Sequence, residues 1–98
     1  MTRRDTVRQT VAMTDVVVYH AAGCHLCERA LGQVRALRDE LGFALAEVDI
    51  SGDAALEERY REWLPVVEID GARAFTYYLQ EDAFRRKVSA HAPPSTST

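Results

Sequence analysis

The run DVVVYH at Asp15–His20 is the feature that most restricts how this chain folds. Consecutive β-branched residues favour an extended strand, and apolar side chains that point both ways suit a strand buried on both faces. Such a strand needs helices above and below its sheet. The rest of the chain must supply those helices, so the run predicts an α/β class.

A helical pattern begins at Cys24, directly after this strand. Gly42 stands where a helix C-cap favours a left-handed residue. Residues 43–50 (FALAEVDI) predict a second strand, which runs parallel to the first because the helix makes a crossover connection. The apolar stripe of the helix consists of Cys27, Leu31, Val34, Leu37 and Leu41.

The second half of the chain predicts a helix, a hairpin and a closing helix. Residues 51–63 suit the first of these helices, with Ser51 or Asp53 as its N-cap and Pro65 beyond its end. Asp70 and Gly71 suit the hairpin turn, because this dipeptide tolerates positive φ at both positions. Residues 80–90 predict the last helix. The order β-α-β-α-β-β-α predicts a four-stranded mixed sheet flanked by helices.

Charge and hydropathy exclude several classes of protein. The net charge of −3, from 12 Lys and Arg against 15 Asp and Glu, offers no basic surface for nucleic acid. No apolar run approaches the roughly 20 residues that span a bilayer, and the N-terminal TVRQTVAMT is too polar for a signal-peptide core. We therefore expect no nucleic-acid or membrane partner and a cytoplasmic location.

A length of 98 residues fits one small domain. We expect residues 1–14 to form a flexible leader and residues 15–90 to form the folded domain. Residues 91–98 (HAPPSTST) hold two of the three prolines and no apolar face, so they predict a disordered tail.

The chain has only two cysteines, Cys24 and Cys27, and they lie where the strand gives way to the helix. In the cytoplasm a close cysteine pair is typically catalytic or metal-binding. At a helix N-terminus the dipole and the free backbone N–H groups favour the thiolate of Cys24 and lower its pKa below the usual ~8.5. Cys27 lies almost one turn later on the inward face. We predict Cys24 as the nucleophile and Cys27 as the resolving cysteine.

The neighbours of the pair leave two alternatives open. Gly23 gives an unhindered approach to Cys24, and a protonated His25 would favour the thiolate; the alternative for His25 is a solvated residue without effect. A zinc site is the competing use of C-x-x-C, but it needs four ligands, and the chain adds only His20, His25 and His91 to the cysteines, without the spacing of a Cys2His2 site. No metal site is predicted.

Several segments together resemble a glutaredoxin-like protein of the thioredoxin superfamily: VVVYHAAGCHLC, EVDI and LEERYREWLPVVEIDG. The resemblance spans about residues 15–90, and the CHLC centre is similar to a group of small bacterial glutaredoxin-like proteins. It implies a thioredoxin-like fold with a cis bond between Leu64 and Pro65, although only ~5–6% of X–Pro bonds are cis. It also implies substrate binding by Leu26, Leu64 and Pro65, with the Leu64 backbone pairing with the bound peptide.

The chain departs from glutathione-dependent glutaredoxins at four places. Where those proteins usually have a basic residue before the first cysteine, this chain has His20, Ala21 and Ala22. Their C-P-Y-C centre is Cys24-His25-Leu26-Cys27 here, and their T-V-P is Trp63-Leu64-Pro65. Their glycine pair after the hairpin is replaced around residues 74–76 (AFT). We therefore expect no tightly bound cofactor, and glutathione remains a candidate reductant that lacks its usual pocket.

The cysteine pair and its setting are compatible with two functions. The first is a dithiol–disulfide oxidoreductase that acts on a protein or small-molecule disulfide and is recycled by an unidentified thiol reductant. The alternative is a non-catalytic thioredoxin-fold module that binds a metal, an iron–sulfur cluster or a protein partner through the same cysteines. A cluster would need further thiolates from a second subunit or glutathione, because this chain offers two.

Overall fold

The structure is a computed structural model that describes residues 14–91. The predicted order of elements is confirmed. Residues 1–13 and 92–98, which make up nearly all of the predicted leader and tail, lie outside the described part. In chain order the elements are β1 (Asp15–His20), α1 (His25–Leu41), β2 (Ala44–Asp49), α2 (Ala54–Tyr60) with a 3-10 turn (Arg61–Trp63), β3 (Val66–Ile69), β4 (Ala72–Thr76) and α3 (Glu81–His91).

The four strands form one mixed sheet in the order β2-β1-β3-β4. β1 runs parallel to β2 and antiparallel to β3, so it lies between its two partners. β3 and β4 form the predicted hairpin, and both turn residues have positive φ, 51° at Asp70 and 85° at Gly71. The mixed four-stranded sheet is therefore confirmed.

The strand register brings four chain segments to one edge of the sheet. His20 at the end of β1 pairs with Asp49 at the end of β2. Tyr19 pairs with Val66, the first residue of β3, and Val66 pairs with Thr76, the last residue of β4. Consequently the loops after β1 and β2, the segment before β3 and the segment after β4 all start or finish at this edge.

The helix ends show which of the predicted capping residues lie where the sequence placed them. Gly42 caps α1 in the left-handed conformation (φ 83°), and its N–H donates to the Arg38 carbonyl at 2.7 Å. α2 starts at Ala54, later than predicted, because Gly52 has a φ of 85° and interrupts any helix through it. Asp53 is the N-cap and accepts from the Leu56 N–H at 3.1 Å.

The main core lies between one face of the sheet and the helices α1 and α3. Thr14, at the start of the described part, is also buried, and its carbonyl accepts the Ala44 N–H at 2.8 Å. None of the described helices is both long and apolar enough to cross a membrane. The eleven buried residues of this core are Val16, Val18, Leu31, Val34, Leu37, Phe43, Val67, Ile69, Leu79, Phe84 and Val88.

The opposite face of the sheet is only partly covered, which corrects the expectation of a strand buried on both sides. Val16 and Val18 are fully buried against the main core, whereas Val17 and Tyr19 on the other face are half-buried. The reason is the length of α2, whose seven residues cannot shield the whole face. A smaller cluster of buried residues forms under it, consisting of Ile50, Tyr60 and Val66.

Tyr60 anchors α2 to this second face. Its ring stacks on that of Tyr19 with centroids 4.0 Å apart, and its hydroxyl donates to the Glu68 carboxylate at 3.2 Å. The guanidinium of Arg59 lies 5.3 Å from the ring centroid. Burial of the phenol, followed by the proximity of Tyr19 and of the Glu68 charge, raises the pKa of Tyr60 to about 12.

This pKa predicts an alkaline loss of stability that depends on Tyr60. The folded pKa lies above the ordinary value of 10.0, so the stabilisation is fully present below pH 10 and is lost as the pH rises towards 12. Between about pH 9 and about pH 11, the free energy of unfolding should fall more steeply for the natural chain than for Tyr60→Phe, by at most about 1.4 kcal/mol per pH unit. Urea unfolding across this range measures both slopes, and parallel curves would contradict the prediction.

Candidate active site

A disulfide between Cys24 and Cys27 lies at the start of α1, with the two Cα atoms 5.2 Å apart. Cys24 is the N-cap residue, in an extended conformation with φ −95° and ψ 105°. Its Sγ accepts a hydrogen bond from the Cys27 N–H at 3.1 Å. The sulfur therefore takes the place of the side-chain oxygen that usually satisfies a free N–H in the first turn. The predicted position of Cys24 at the helix N-terminus is confirmed.

The two sulfurs differ in access to solvent. Cys27 is 1% exposed and belongs to the inward face of α1, whereas Cys24 is half-buried. An external disulfide can therefore approach Cys24 but not Cys27. This difference matches the predicted orientation of the pair and is the geometric basis for giving the two cysteines different roles.

The loop before Cys24 is tied to the end of β2. Gly23 is exposed with a φ of 77°, a conformation that strains other residues, and the Cys24 N–H points to the Ala21 carbonyl at 3.4 Å. The Ala22 N–H donates to the Ser51 hydroxyl at 3.1 Å. These contacts hold Gly23 in the position from which the chain enters α1.

The bond between Leu64 and Pro65 is cis, as the resemblance implied. Pro65 is buried, and its carbonyl accepts the Tyr77 N–H at 3.1 Å. Leu64 is half-buried and extended (φ −65°, ψ 143°). Leu64 and Ala21 pack against the same small cluster under α2. The segment before β3 and the segment before Cys24 are therefore supported by the same buried residues.

Tyr77 follows β4 and holds the segment before the cis bond. It has a φ of 66°, which is uncommon for a residue with a bulky side chain. Its hydroxyl donates to the Glu62 carbonyl at 2.8 Å, and its ring centroid lies 6.2 Å from that of Trp63. The sequence comparison placed the position of the glutaredoxin glycine pair around residues 74–76. In the structure the left-handed backbone that would suit a glycine lies just beyond them, at Tyr77.

A small cavity of about 100 Å³ lies between α1 and the segment after β4. Its wall is fixed by Gln33, whose side-chain amide donates to the Leu79 carbonyl at 3.4 Å and to the Glu81 carboxylate at 3.1 Å. Leu26, between the two cysteines, borders this cavity. The lining residues are Leu26, Arg29, Ala30, Gln33, Tyr77, Tyr78 and Leu79.

The remaining predicted site residue, His25, is the first residue of α1 and is exposed. It makes no hydrogen bond or ion pair with another described residue. Across residues 14–91, no three His, Cys, Asp or Glu side chains come together in a way that could hold a metal ion.

Sequence reasoning did not single out Arg29, Tyr77 or Tyr78 as site residues. In the sequence, the two tyrosines belong with Trp63, Tyr60 and Phe75 to a set of aromatics that could face a substrate but that at such positions are more often core residues. The structure separates surface from core among them: Trp63, Tyr77 and Tyr78 are exposed, whereas Tyr60 is buried. No local pattern carries this information, because it depends on how the segments meet at the sheet edge.

Comparison with solved structures places this geometry in a known fold. Protein Ne2328 from Nitrosomonas europaea is 27% identical, with a TM-score of 0.66 over 89% of this chain and 98% of its own. Protein XcR50 from X. campestris is 29% identical, with a TM-score of 0.64 over 80% of this chain and 99% of its own. Thioredoxin from Fasciola hepatica, at 20% identity and a TM-score of 0.62 over 89% of this chain and 88% of its own, shares the fold.

Sequence comparisons identify the family. The uncharacterized protein Rv0508 from Mycobacterium tuberculosis is 30% identical over 73 residues, which are 69% of this chain and 75% of that protein. The model of the family described as "Glutaredoxin-like domain (DUF836)" matches residues 15–89, which include every strand, both cysteines and the cis bond. The chain therefore belongs to the glutaredoxin-like domain family (DUF836), with a thioredoxin fold and a C-x-x-C pair within disulfide-bonding distance.

Proposed function

We propose that this chain is a dithiol–disulfide oxidoreductase that reduces disulfides of proteins or small molecules. The observation that carries the proposal is the Cys24–Cys27 disulfide at the start of α1, with one sulfur accessible and the other buried. A purely structural disulfide gains little from one accessible sulfur at a helix N-terminus. A redox centre needs that access for attack and a shielded neighbour for release of the product.

The reaction begins with the reduced pair. The Cys24 thiolate attacks one sulfur of the substrate disulfide, a mixed disulfide forms, and the first substrate thiolate leaves and takes a proton from solvent. Cys27 then loses its proton and attacks Cys24 Sγ, which closes the Cys24–Cys27 disulfide and releases the second thiol. Two electrons pass from the pair to the substrate. An external thiol reductant restores the pair.

The start of α1 supplies the electrostatic help for the first step. The Cys27 N–H already points at Cys24 Sγ at 3.1 Å, and this donor stabilises a thiolate more than a thiol. The 17 residues of α1 add the positive end of the helix dipole at the same place. Cys24 is therefore the better nucleophile of the two, because a larger fraction of it is thiolate at neutral pH.

The residues around the pair do not fit the glutathione pocket that the resemblance suggests. Ala21 and Ala22 bring no cation to the approach to Cys24. The end of β4 presents the side chains of Tyr77 and Tyr78 where glycines would leave the backbone open. We infer that the physiological reductant is another dithiol protein rather than glutathione, in a cytoplasmic location where such reductants operate.

The alternative role, cluster binding, is less well supported. An iron–sulfur cluster shared between two chains needs thiolates that reach outward from each chain. Cys27 is 1% exposed and lies on the inward face of α1, so only Cys24 points to where a shared cluster would lie. The burial of Cys27 thus favours its role as the resolving thiol.

The division of roles predicts different outcomes for the two serine variants. Cys24→Ser should lose all turnover of a small disulfide, because the attacking sulfur is gone. Cys27→Ser should still attack but should accumulate the mixed disulfide, which intact-mass spectrometry detects as one added substrate half. Ala36→Ser, at an exposed position of α1, is the matched control and should react like the natural chain. Trapping in Cys24→Ser instead would reverse the assignment.

The helix N-terminus predicts a low pKa for Cys24 in the reduced protein. Alkylation with iodoacetamide across a pH series, with the labelled peptide identified by mass, should give an inflection for Cys24 below ~8.5. Cys27 should react far more slowly, because its sulfur is buried. Faster labelling of Cys27 would sink the proposed mechanism.

The missing glutathione features predict the choice of reductant. Turnover of a model disulfide should be weak with glutathione and glutathione reductase, and stronger with thioredoxin and thioredoxin reductase at the same concentration of reducing equivalents. NADPH consumption measures both rates, and Cys24→Ser gives the background. Robust turnover with glutathione would show that the tripeptide is accepted without the usual pocket.

A further inference from the structure

A row of exposed aromatic side chains leads to the cavity that Leu26 lines between the two cysteines. We call Trp63, Tyr77 and Tyr78 the aromatic rim. Their exposed fractions are 42%, 39% and 63%, which are high for large rings in so small a domain. Exposed aromatics grouped in this way typically mark a surface that another molecule covers.

The rim is continuous and is held at Tyr77, its middle residue. Trp63 and Tyr77 lie with ring centroids 6.2 Å apart, and the Tyr77 hydroxyl is fixed on the Glu62 carbonyl. Tyr77 and Tyr78 line the cavity that Leu26 borders from the segment between the cysteines. The rim therefore runs from the residue before Leu64 to the wall of α1 beside Cys27.

Each end of the rim carries a guanidinium. Arg73 lies over the Trp63 ring, 5.7 Å from its centroid. Arg29 lines the cavity with the two tyrosines. Neither has a carboxylate of the described residues within ion-pair distance, unlike Arg35 with Glu47 and Arg85 with Glu40.

The acids of the described residues near these two cations are engaged elsewhere or lie outside the cavity. Glu81, at the cavity wall, accepts the Gln33 amide at 3.1 Å and lies 3.9 Å from the Arg85 guanidinium. Glu68 is the cross-strand neighbour of Arg73, but its carboxylate accepts the Tyr60 hydroxyl. Glu28, next to Arg29 in sequence, does not line the cavity. The acids of α2 border a separate depression with Arg61. Arg59, Arg61, Arg86 and Lys87 also have no ion pair with a described residue, so what sets Arg29 and Arg73 apart is that they lie beside the exposed aromatic rings.

We propose that the aromatic rim, with Arg29 and Arg73, docks an extended acidic segment of a protein disulfide substrate. The rings contact the methylene groups of the segment's side chains, and each guanidinium pairs with a carboxylate beside the substrate cysteine. The extended Leu64 backbone lies next to Trp63, where a peptide can run alongside it. The cavity of about 100 Å³ is too small to enclose a peptide, so the segment would lie across the exposed rings rather than inside the cavity.

This inference rests on the proposed function and adds its substrate class. The chemistry is unchanged: the reduced Cys24 and Cys27 become a disulfide, and the substrate disulfide takes up two electrons and two protons and leaves as two thiols. Docking brings the substrate sulfur to Cys24 and raises the rate at low substrate concentration, with no part in the bond exchange itself.

The test uses three peptide disulfides that differ only in the residues flanking their cysteines, which are aspartate, serine or lysine. Pre-reduced protein is mixed with each peptide in a single turnover, and the second-order rate constant is measured from the peptide thiol released. The aspartate peptide should react about tenfold faster than the serine peptide, and the lysine peptide should react more slowly than both. Salt at about 0.5 M should reduce these differences, because it screens exposed charges.

Variants locate the effect on the rim. Arg29→Gln and Arg73→Gln should each lower the aspartate-to-serine rate ratio by about twofold to fivefold. Arg86→Gln is the matched control, since Arg86 is exposed on α3, has no ion pair with a described residue and lines neither part of the rim. It should leave the ratio unchanged. A natural ratio near one, or equal losses in all three variants, would overturn the inference.

Two readouts separate this inference from the proposed function. Trp63 is the only tryptophan, so its fluorescence should change on addition of the aspartate peptide with both cysteines replaced by serine, with no redox step involved. If the chain binds this peptide but does not turn over any disulfide, the proposed enzyme activity is contradicted and the docking surface is supported. If the aspartate, serine and lysine peptides are all reduced at the same rate, the proposed enzyme activity is supported and the docking surface is contradicted.

Discussion

The pairing of Tyr19 with Val66 in the two central strands decides where every part of the site lies. Because β1 and β3 are antiparallel, the end of one strand lies beside the start of the other. The loop that leads to the cysteines therefore meets the segment that contains the cis bond. The neighbouring pairs at His20 and Thr76 bring the ends of β2 and β4 to the same edge. The strand register alone therefore brings the cysteine loop and the cis-bond segment to the same sheet edge.

The helix α1 then determines how far each of the two cysteines is exposed to solvent. Its inward face is held by the main core through Leu31, Val34 and Leu37, so its first turn is fixed in space. The same seating that buries Cys27 leaves Cys24 at the surface as the N-cap. The exposure of Cys24 and the shielding of Cys27 are thus two results of one helix orientation.

The parts of the fold that depend on local patterns were predictable from the sequence. The order of elements, the buried stripe of α1 from Cys27 to Leu37 and the turn at Asp70 each follow from residues close together in the chain. Leu41, predicted in the same stripe, is exposed because it is the last residue of α1. The length of α2 and the half-covered second face were not, because they depend on the left-handed Gly52 and on tertiary packing. The cis bond came from family resemblance rather than from the pattern. The exposure of the aromatic rim emerges only when distant segments meet.

The two sides of the site rest on cores of very different size. The helix α1 belongs to a core of eleven buried residues, whereas Ala21 and Leu64 pack against a cluster of three buried residues. Local opening is cheaper where fewer apolar contacts must break, so backbone amides around Leu64 should exchange with deuterium sooner than those of α1. The two cysteines thus lie on the firmly packed side of the site, and the Leu64 segment lies on the side where fewer contacts resist a change of backbone shape.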